Sequence, residues 1–150
     1  MPGRIVLLDI DHSISDARWR DHLIPGAKAS GDWSEYYRDM HLDEPIWFVA
    51  YYVRYLASLP LFDLVGLTGR PEEHRRVTQH WLRRQHIVLA DLIMRPNGDH
   101  SQQVEMKIRE ITARYRVEEV AFAIEDREDV VDALRTIGIS VLKPCLARLV

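Results

Sequence analysis

The stretch Ile5-Val6-Leu7-Leu8-Asp9-Ile10-Asp11-His12-Ser13 decides the fold. Four branched apolar residues run directly into two carboxylates set two apart. A short unbroken run of Val, Ile and Leu reads as a strand buried on both faces, which belongs at the centre of a parallel sheet. Ligands of open α/β sheets bind outside the carboxyl ends of the strands. Asp9 and Asp11 are therefore expected at the mouth of such a crevice. Two carboxylates that close repel each other and call for a cation, a proton or both.

Working outward, polar residues from about Asp11 to Asp43 hold Trp19, Trp33, Tyr36 and Tyr37 among many charges. A structureless loop of that length is unusual inside a compact domain. The stretch reads as a small flap or cap, about residues 12–43, with a short helix around Trp33–Met40 and with Pro25, Gly26 and Gly31 as breakers. A helix is expected to start at Asp43 or Glu44, ahead of Pro45. It carries Ile46, Val49, Ala50, Val53 and Leu56 at helical spacing. A second strand, Phe62 to Leu67, leads into Thr68-Gly69-Arg70-Pro71, read as a turn, and a helix from about Glu72 to Gln85. A short strand near Leu92–Met94 precedes a helix from about Ser101 to Arg114. A strand over Glu119–Ile124 ends in Glu125-Asp126. A last helix through Val130 and Leu134 stops at Gly138, before a strand over Ile139–Leu142. Strands alternating with helices of this length imply βαβ units and right-handed crossovers. The expected fold is α/β: a Rossmann-like three-layer arrangement with a central, mostly parallel five-stranded sheet and a small cap inserted after strand one.

Composition sets the bounds. A chain of 150 residues suits one domain, residues 1–150, and can bury a core without staples. No apolar run approaches the ~20 residues of a membrane helix, and no membrane association is expected. Asp9 and Asp11 interrupt the place where a signal peptide would carry its apolar region. Cys145 is the only cysteine, so no intrachain disulfide or Cys-based zinc site forms. Together these point to a reducing, cytoplasmic setting. A net charge of −3 gives no global case for nucleic-acid binding, so any such surface has to be a local patch.

Three strand ends carry polar groups: Asp9/Asp11, Thr68-Gly69-Arg70 and Glu125/Asp126. Lys107 adds a cation from a helix. Crossover geometry brings these ends to one side of the sheet. Hard oxygen donors suit Mg²⁺, which prefers carboxylates plus substrate phosphate. A hydroxyl and backbone N–H groups at a helix start suit a phosphoryl group.

These residues resemble the haloacid dehalogenase (HAD) superfamily of phosphohydrolases. Asp9-Ile10-Asp11-His12-Ser13 is similar to its first motif, Asp-x-Asp-Gly-Thr/Ser. Leu67-Thr68-Gly69-Arg70 is similar to the second, Lys107 to the third, and Glu125-Asp126 to the acidic fourth. Within the superfamily the chain looks most like the phosphatase domain of polynucleotide kinase-phosphatases, through Thr68-Gly69-Arg70 and Glu125-Asp126-Arg127-Glu128-Asp129-Val130-Val131. It departs in two places: His12 stands where glycine is usual, and Glu125 where aspartate is. The resemblance implies a Mg²⁺-dependent, two-step phosphomonoester hydrolysis. Asp9 would be the nucleophile. Asp11, staying protonated, would be the general acid and then the base. Asp9, the backbone carbonyl of Asp11, and Asp126 would hold Mg²⁺, with Glu125 beside them. Lys107 and Thr68 would hold phosphate oxygens. Gly69, Arg70, Ser13 and His12 complete the substrate-binding set, Arg70 touching the phosphate or steering the flap. The implied substrate is a phosphorylated nucleotide or nucleic-acid end, in particular a 3′-phosphate. Alternatives from the residues themselves are a phosphatase of free nucleoside monophosphates or another small metabolite, and a non-catalytic phosphate-binding module. No P-loop is present, so no kinase activity is encoded in this stretch.

Overall fold

The computed structural model describes residues 3–146. β1 (Ile5–Leu8) is followed by β2 (Ser15–Asp16), a 3₁₀ turn at Arg18–Leu23, α1 (Ile24–Ser30), α2 (Ser34–Arg38), β3 (Glu44–Pro45) and α3 (Trp47–Ser58). Then come β4 (Asp63–Pro71), α4 (Arg75–Arg84), β5 (Asp91–Arg95), α5 (Gln103–Arg114), β6 (Val120–Ile124), α6 (Glu128–Thr136) and β7 (Val141–Leu142). Five strands form one parallel sheet in the order β5-β4-β1-β6-β7. β1 lies at its centre, as an unbroken apolar run requires.

Alternate β1 residues face opposite layers. Val6 and Leu8 join Val49, Val53, Trp81 and Leu82 under α3 and α4. Leu7 joins Ile111, Val130 and Leu134 under α5 and α6. The result is the expected three-layer α/β fold. No helix among the described residues is long and apolar enough to cross a membrane.

The cap is more ordered than the breaker residues imply. Pro25 sits in the first turn of α1, where a missing N–H costs nothing. Gly31, at φ 75°, ends that helix in the left-handed conformation glycine tolerates. Pro and Gly here mark the two ends of a helix rather than a loop. Glu44–Pro45 is not a helix start. It pairs antiparallel with Ser15–Asp16, and the Ile46 N–H donates to Ile14 O, so α3 begins only at Trp47. This two-stranded ribbon ties both ends of the cap to the sheet. The strand expected over 62–67 runs on to Pro71, which carries Thr68-Gly69-Arg70 within the strand instead of in a turn. The last strand is shorter than expected, Val141–Leu142.

Candidate active site

The sheet register fixes which residues meet. Leu8 pairs with Gly66 on one side and Ile124 on the other. Asp9 and Glu125 therefore emerge together just past the carboxyl ends of β1 and β6, beside Thr68 within β4, where the chain switches from one side of β1 to the other. The loop after Ile10 wraps tightly, with the N–H groups of Ser13, Ile14 and Ser15 all donating to the Ile10 carbonyl. That reversal places His12 at φ 63°. Histidine accepts the left-handed region more readily than most residues, so the glycine-like position is filled without glycine. The His12 ring faces the cap, with Nε2 3.1 Å from Asp21 Oδ1.

Lys107 reaches in from α5 and is fully buried. Its ammonium donates to Asp9 Oδ1 at 2.6 Å and to Glu125 Oε2 at 2.6 Å. Burial alone would strip its proton, but Asp9 and Glu125 outweigh burial and hold the ammonium charged, well above its ordinary pKa. Ser13 Oγ donates to Asp9 Oδ2 at 2.8 Å and reaches Asp126 Oδ1 at 3.3 Å. Both oxygens of Asp9 are thus clamped. Asp9, Glu125 and Asp126 each offer a carboxylate oxygen within 4.8 Å of the others. Burial first, and then the charge of Asp9, push the Glu125 and Asp126 carboxyls up from their ordinary values. Three crowded carboxylates facing one ammonium are short of positive charge, which is the donor set a hard divalent cation fits.

A second cluster surrounds Asp11. Arg70, fully buried, donates to Asp11 through Nε and through Nη2 at 2.7 Å. Arg20, also buried, donates to Asp11 Oδ1 through Nη2 at 2.7 Å. Burial by itself would raise the Asp11 carboxyl, but the two guanidiniums override it and hold the group well below the usual carboxylate range. The two arginines thus favour the ionised form of Asp11 in the absence of substrate, whereas a general acid has to carry a proton. Arg70 is correspondingly committed to Asp11 and, at 3.3 Å, to Thr78 Oγ1. Thr68, at full burial, accepts the Arg70 N–H on Oγ1 at 3.1 Å. Gly69 is closely covered by Gln103, whose Nε2 occupies the space a Cβ would need.

Sequence reading missed two members of this cluster, Arg20 and Asp43. Asp43 is 4% exposed. It accepts from Arg20 Nε at 3.0 Å and Nη2 at 2.7 Å, from Ser15 Oγ at 2.5 Å and from Trp19 Nε1 at 2.9 Å. Its carbonyl accepts from Trp81 Nε1 at 2.8 Å. It is the knot between cap, site and core. No local pattern marks either residue, since each sits among other charges in an irregular stretch. The cap aromatics pack on one another: Tyr36 is buried edge-on to Trp33 and Tyr37, and Arg20 lies 4.3 Å from the centre of its ring.

This geometry can be set beside known proteins. Residues 4–144 match the family described as the polynucleotide kinase (PNKP) phosphatase domain. No curated protein sequence matches the chain at a significant level. Among solved structures, a chain of a Pnkp1/Rnl/Hen1 complex superimposes with TM-score 0.78 at 21% identity, over 95% of this chain and 46% of that one. The present chain thus spans about half the length of that relative. YfnB from Bacillus subtilis, described as a HAD-hydrolase, superimposes with TM-score 0.67 at 13% identity, over 94% and 88% of the two chains. The haloacid dehalogenase-like protein SP0104 from Streptococcus pneumoniae gives TM-score 0.66 at 12% identity, over 94% and 84%. These likenesses carry the fold, and the match over residues 4–144 carries the family: the chain belongs to the polynucleotide kinase (PNKP) phosphatase domains and is a HAD-type phosphatase.

Proposed function

We propose that the protein hydrolyses phosphomonoesters at nucleic-acid 3′ ends, with Asp9 as nucleophile and Mg²⁺ as cofactor. The observation that carries this reading is the clamped Asp9 carboxylate, held by Lys107 and Ser13 beside Asp126 and Glu125. Lys107 and Ser13 fix the direction of attack by holding both Asp9 oxygens. Asp9, Asp126 and Glu125 would hold Mg²⁺, with the Asp11 carbonyl as a further donor. When bound, the ion supplies positive charge against the transferring phosphoryl group.

Asp11 has to give a proton to the leaving oxygen. An anionic phosphate arriving beside it adds like charge and draws on the same two guanidiniums. Both effects raise the Asp11 carboxyl toward its protonated form. Once the leaving group has its proton, Arg20 and Arg70 again favour the carboxylate, which is the form that accepts a proton from the attacking water. Thr68, within β4, would hold a phosphoryl oxygen.

The choice of a nucleic-acid end rests on the family match and on the likeness to a chain from an RNA repair complex. The lone Cys145 suits a reducing, cytoplasmic setting. The test is phosphate release with Mg²⁺ from an aryl phosphate, the 3′- and 5′-nucleoside monophosphates, and oligonucleotides phosphorylated at either end. Preference for the 3′-phosphorylated oligonucleotide is expected, with Asp9→Asn folded and inactive. Preference for a mononucleotide, or Mg²⁺-dependent turnover in Asp9→Asn, would refute the corresponding part. Phosphate binding without turnover would make the protein a binding module.

A further inference from the structure

Helix α3 turns one face to the core through Val49, Ala50, Val53 and Leu56. Its other face is aromatic and open. Trp47, Tyr51 and Tyr55 recur at i, i+4 and i+8 and are 49%, 63% and 61% exposed. Phe48 and Tyr52 flank them, also exposed. A row of exposed aromatic rings is more than the scattered apolar surface a protein normally shows. Three features distinguish this row from a bare apolar patch. The Trp47 and Tyr51 rings lie 5.9 Å apart and are tilted by 33° to one another, so the row is a continuous aromatic surface. The Arg54 guanidinium lies over both rings, 6.0 Å from the Trp47 ring centre and 5.7 Å from that of Tyr51. Arg54 Nε also donates to Gln85 O at 2.8 Å, which joins this face to the end of α4.

Helix α4 supplies the complementary charge. Together α3 and α4 carry five arginines and no carboxylate, in a chain whose net charge is −3. Most arginines elsewhere in the described chain have a carboxylate partner, as Arg18, Arg38, Arg95, Arg114 and Arg127 do. Arg54, Arg76, Arg83 and Arg84 have none within ion-pair distance among the described residues. Arg76, Arg83 and Arg84 share one stripe of α4 and are all exposed. Where α3 and α4 meet, a cleft of about 350 Å³ is lined by Trp47, Arg84, Gln85, His41, Leu42 and Glu44. One wall of it is the segment that runs back to Asp43, whose carboxylate bonds Arg20 beside Asp11. Trp47 follows Asp43 by four residues, so their Cα atoms are at most ~14 Å apart.

We propose that the α3–α4 face docks the single-stranded part of the substrate, behind its phosphorylated end. Bases would stack on Trp47, Tyr51 and Tyr55, while Arg54, Arg83 and Arg84 take backbone phosphates. Stacking platforms interleaved with unpaired cations are what sequence-tolerant single-strand binding requires. The aromatic row alone would serve an apolar protein surface, but the unpaired arginines beside it call for an occupant with a regular run of negative charge, which a nucleic-acid backbone supplies. This inference extends the nucleic-acid reading of the active site and rests on it.

The experiment separates the two. Binding of a labelled, unphosphorylated 12-mer RNA is followed by fluorescence anisotropy across a salt series. Hydrolysis is measured on 3′-phosphorylated 2-mer and 12-mer RNA and on an aryl phosphate. For Trp47→Ala/Tyr51→Ala, 12-mer affinity should fall at least about tenfold, and KM for the 12-mer should rise to match. The 2-mer and aryl phosphate should be hydrolysed as by the unaltered protein. For Arg83→Ala/Arg84→Ala, the slope of log affinity against log salt should shrink by about 1.4. Unchanged 12-mer binding in both variants overturns the proposal. So does a loss shared equally by all three substrates, or aromatic variants that only break an oligomer. If no 3′-phosphorylated end is hydrolysed, the substrate assignment of the active site fails, while the anisotropy series still decides the docking face.

Discussion

Replacing Lys107 with Met removes the one cation that contacts both Asp9 and Glu125 among the described residues, while keeping the length of the side chain. Lys107 is fully buried, and its two ion pairs are both 2.6 Å long. Deleting one partner of a buried ion pair strands the other charge, at about 3–5 kcal/mol. For a chain of this size that is a fall in Tm of about 6–20 °C. The loss should depend on pH, and the sign follows from the groups left behind. The folded-state pKa of Lys107 is raised further above an already high value, so its own contribution is fully present and constant from pH 5 to 8. Glu125 and Asp126 are already raised in the intact protein, mainly by burial, so their charged forms cost stability as pH climbs from their unfolded values. Without Lys107 that cost grows, whereas at pH 5 the stranded carboxylates take up protons and escape it. Urea denaturation of both proteins at pH 5 and pH 8, without Mg²⁺, measures this directly. The deficit should be largest at pH 8 and shrink by at least half at pH 5. A deficit under 1 kcal/mol at pH 8, or one independent of pH, would refute the view of Lys107 as the charge balance of the site.

Asp43→Ala should cost about 3 kcal/mol, because Arg20 keeps only Asp11 of its two carboxylate partners while Ser15 and Trp19 lose their acceptor, and hydrogen exchange should show the cap loosening before the sheet. Mg²⁺ at a hundredfold excess over its Kd should stabilise the unaltered protein by about 2.7 kcal/mol, and thermal denaturation should show that gain largely gone in Asp126→Asn. His12→Val puts a β-branched side chain at φ 63° and should destabilise by about 1–2 kcal/mol, whereas His12→Gly should stay within about 1 kcal/mol of the parent; urea titration of both checks this.

Much of the molecule was legible in local pattern. The run Ile5–Leu8 could only be a buried strand, and the strand–helix alternation after it implied a parallel sheet. That topology alone gathers Asp9, Thr68 and Glu125 at one edge, because the carboxyl ends of parallel strands point the same way. Where reading failed, Pro and Gly were taken at face value. Pro25 and Gly31 cap a helix instead of breaking one, and Pro45 lies in a ribbon instead of opening α3. A proline's meaning depends on which backbone donors its position requires, and that is known only once the neighbouring strand is in place.

What the sequence determined by itself was the architecture and the carboxylate–lysine centre. Periodicity and strand order are local properties that survive without knowledge of packing. What only the tertiary structure decided was the company of Asp11. Arg20 and Asp43 lie 9 and 32 residues from it along the chain, and Arg70 lies 59 away. No spacing rule connects them. Their effect on Asp11 is electrostatic, and in a buried site that effect depends on distances of a few ångströms, which only the folded cap supplies.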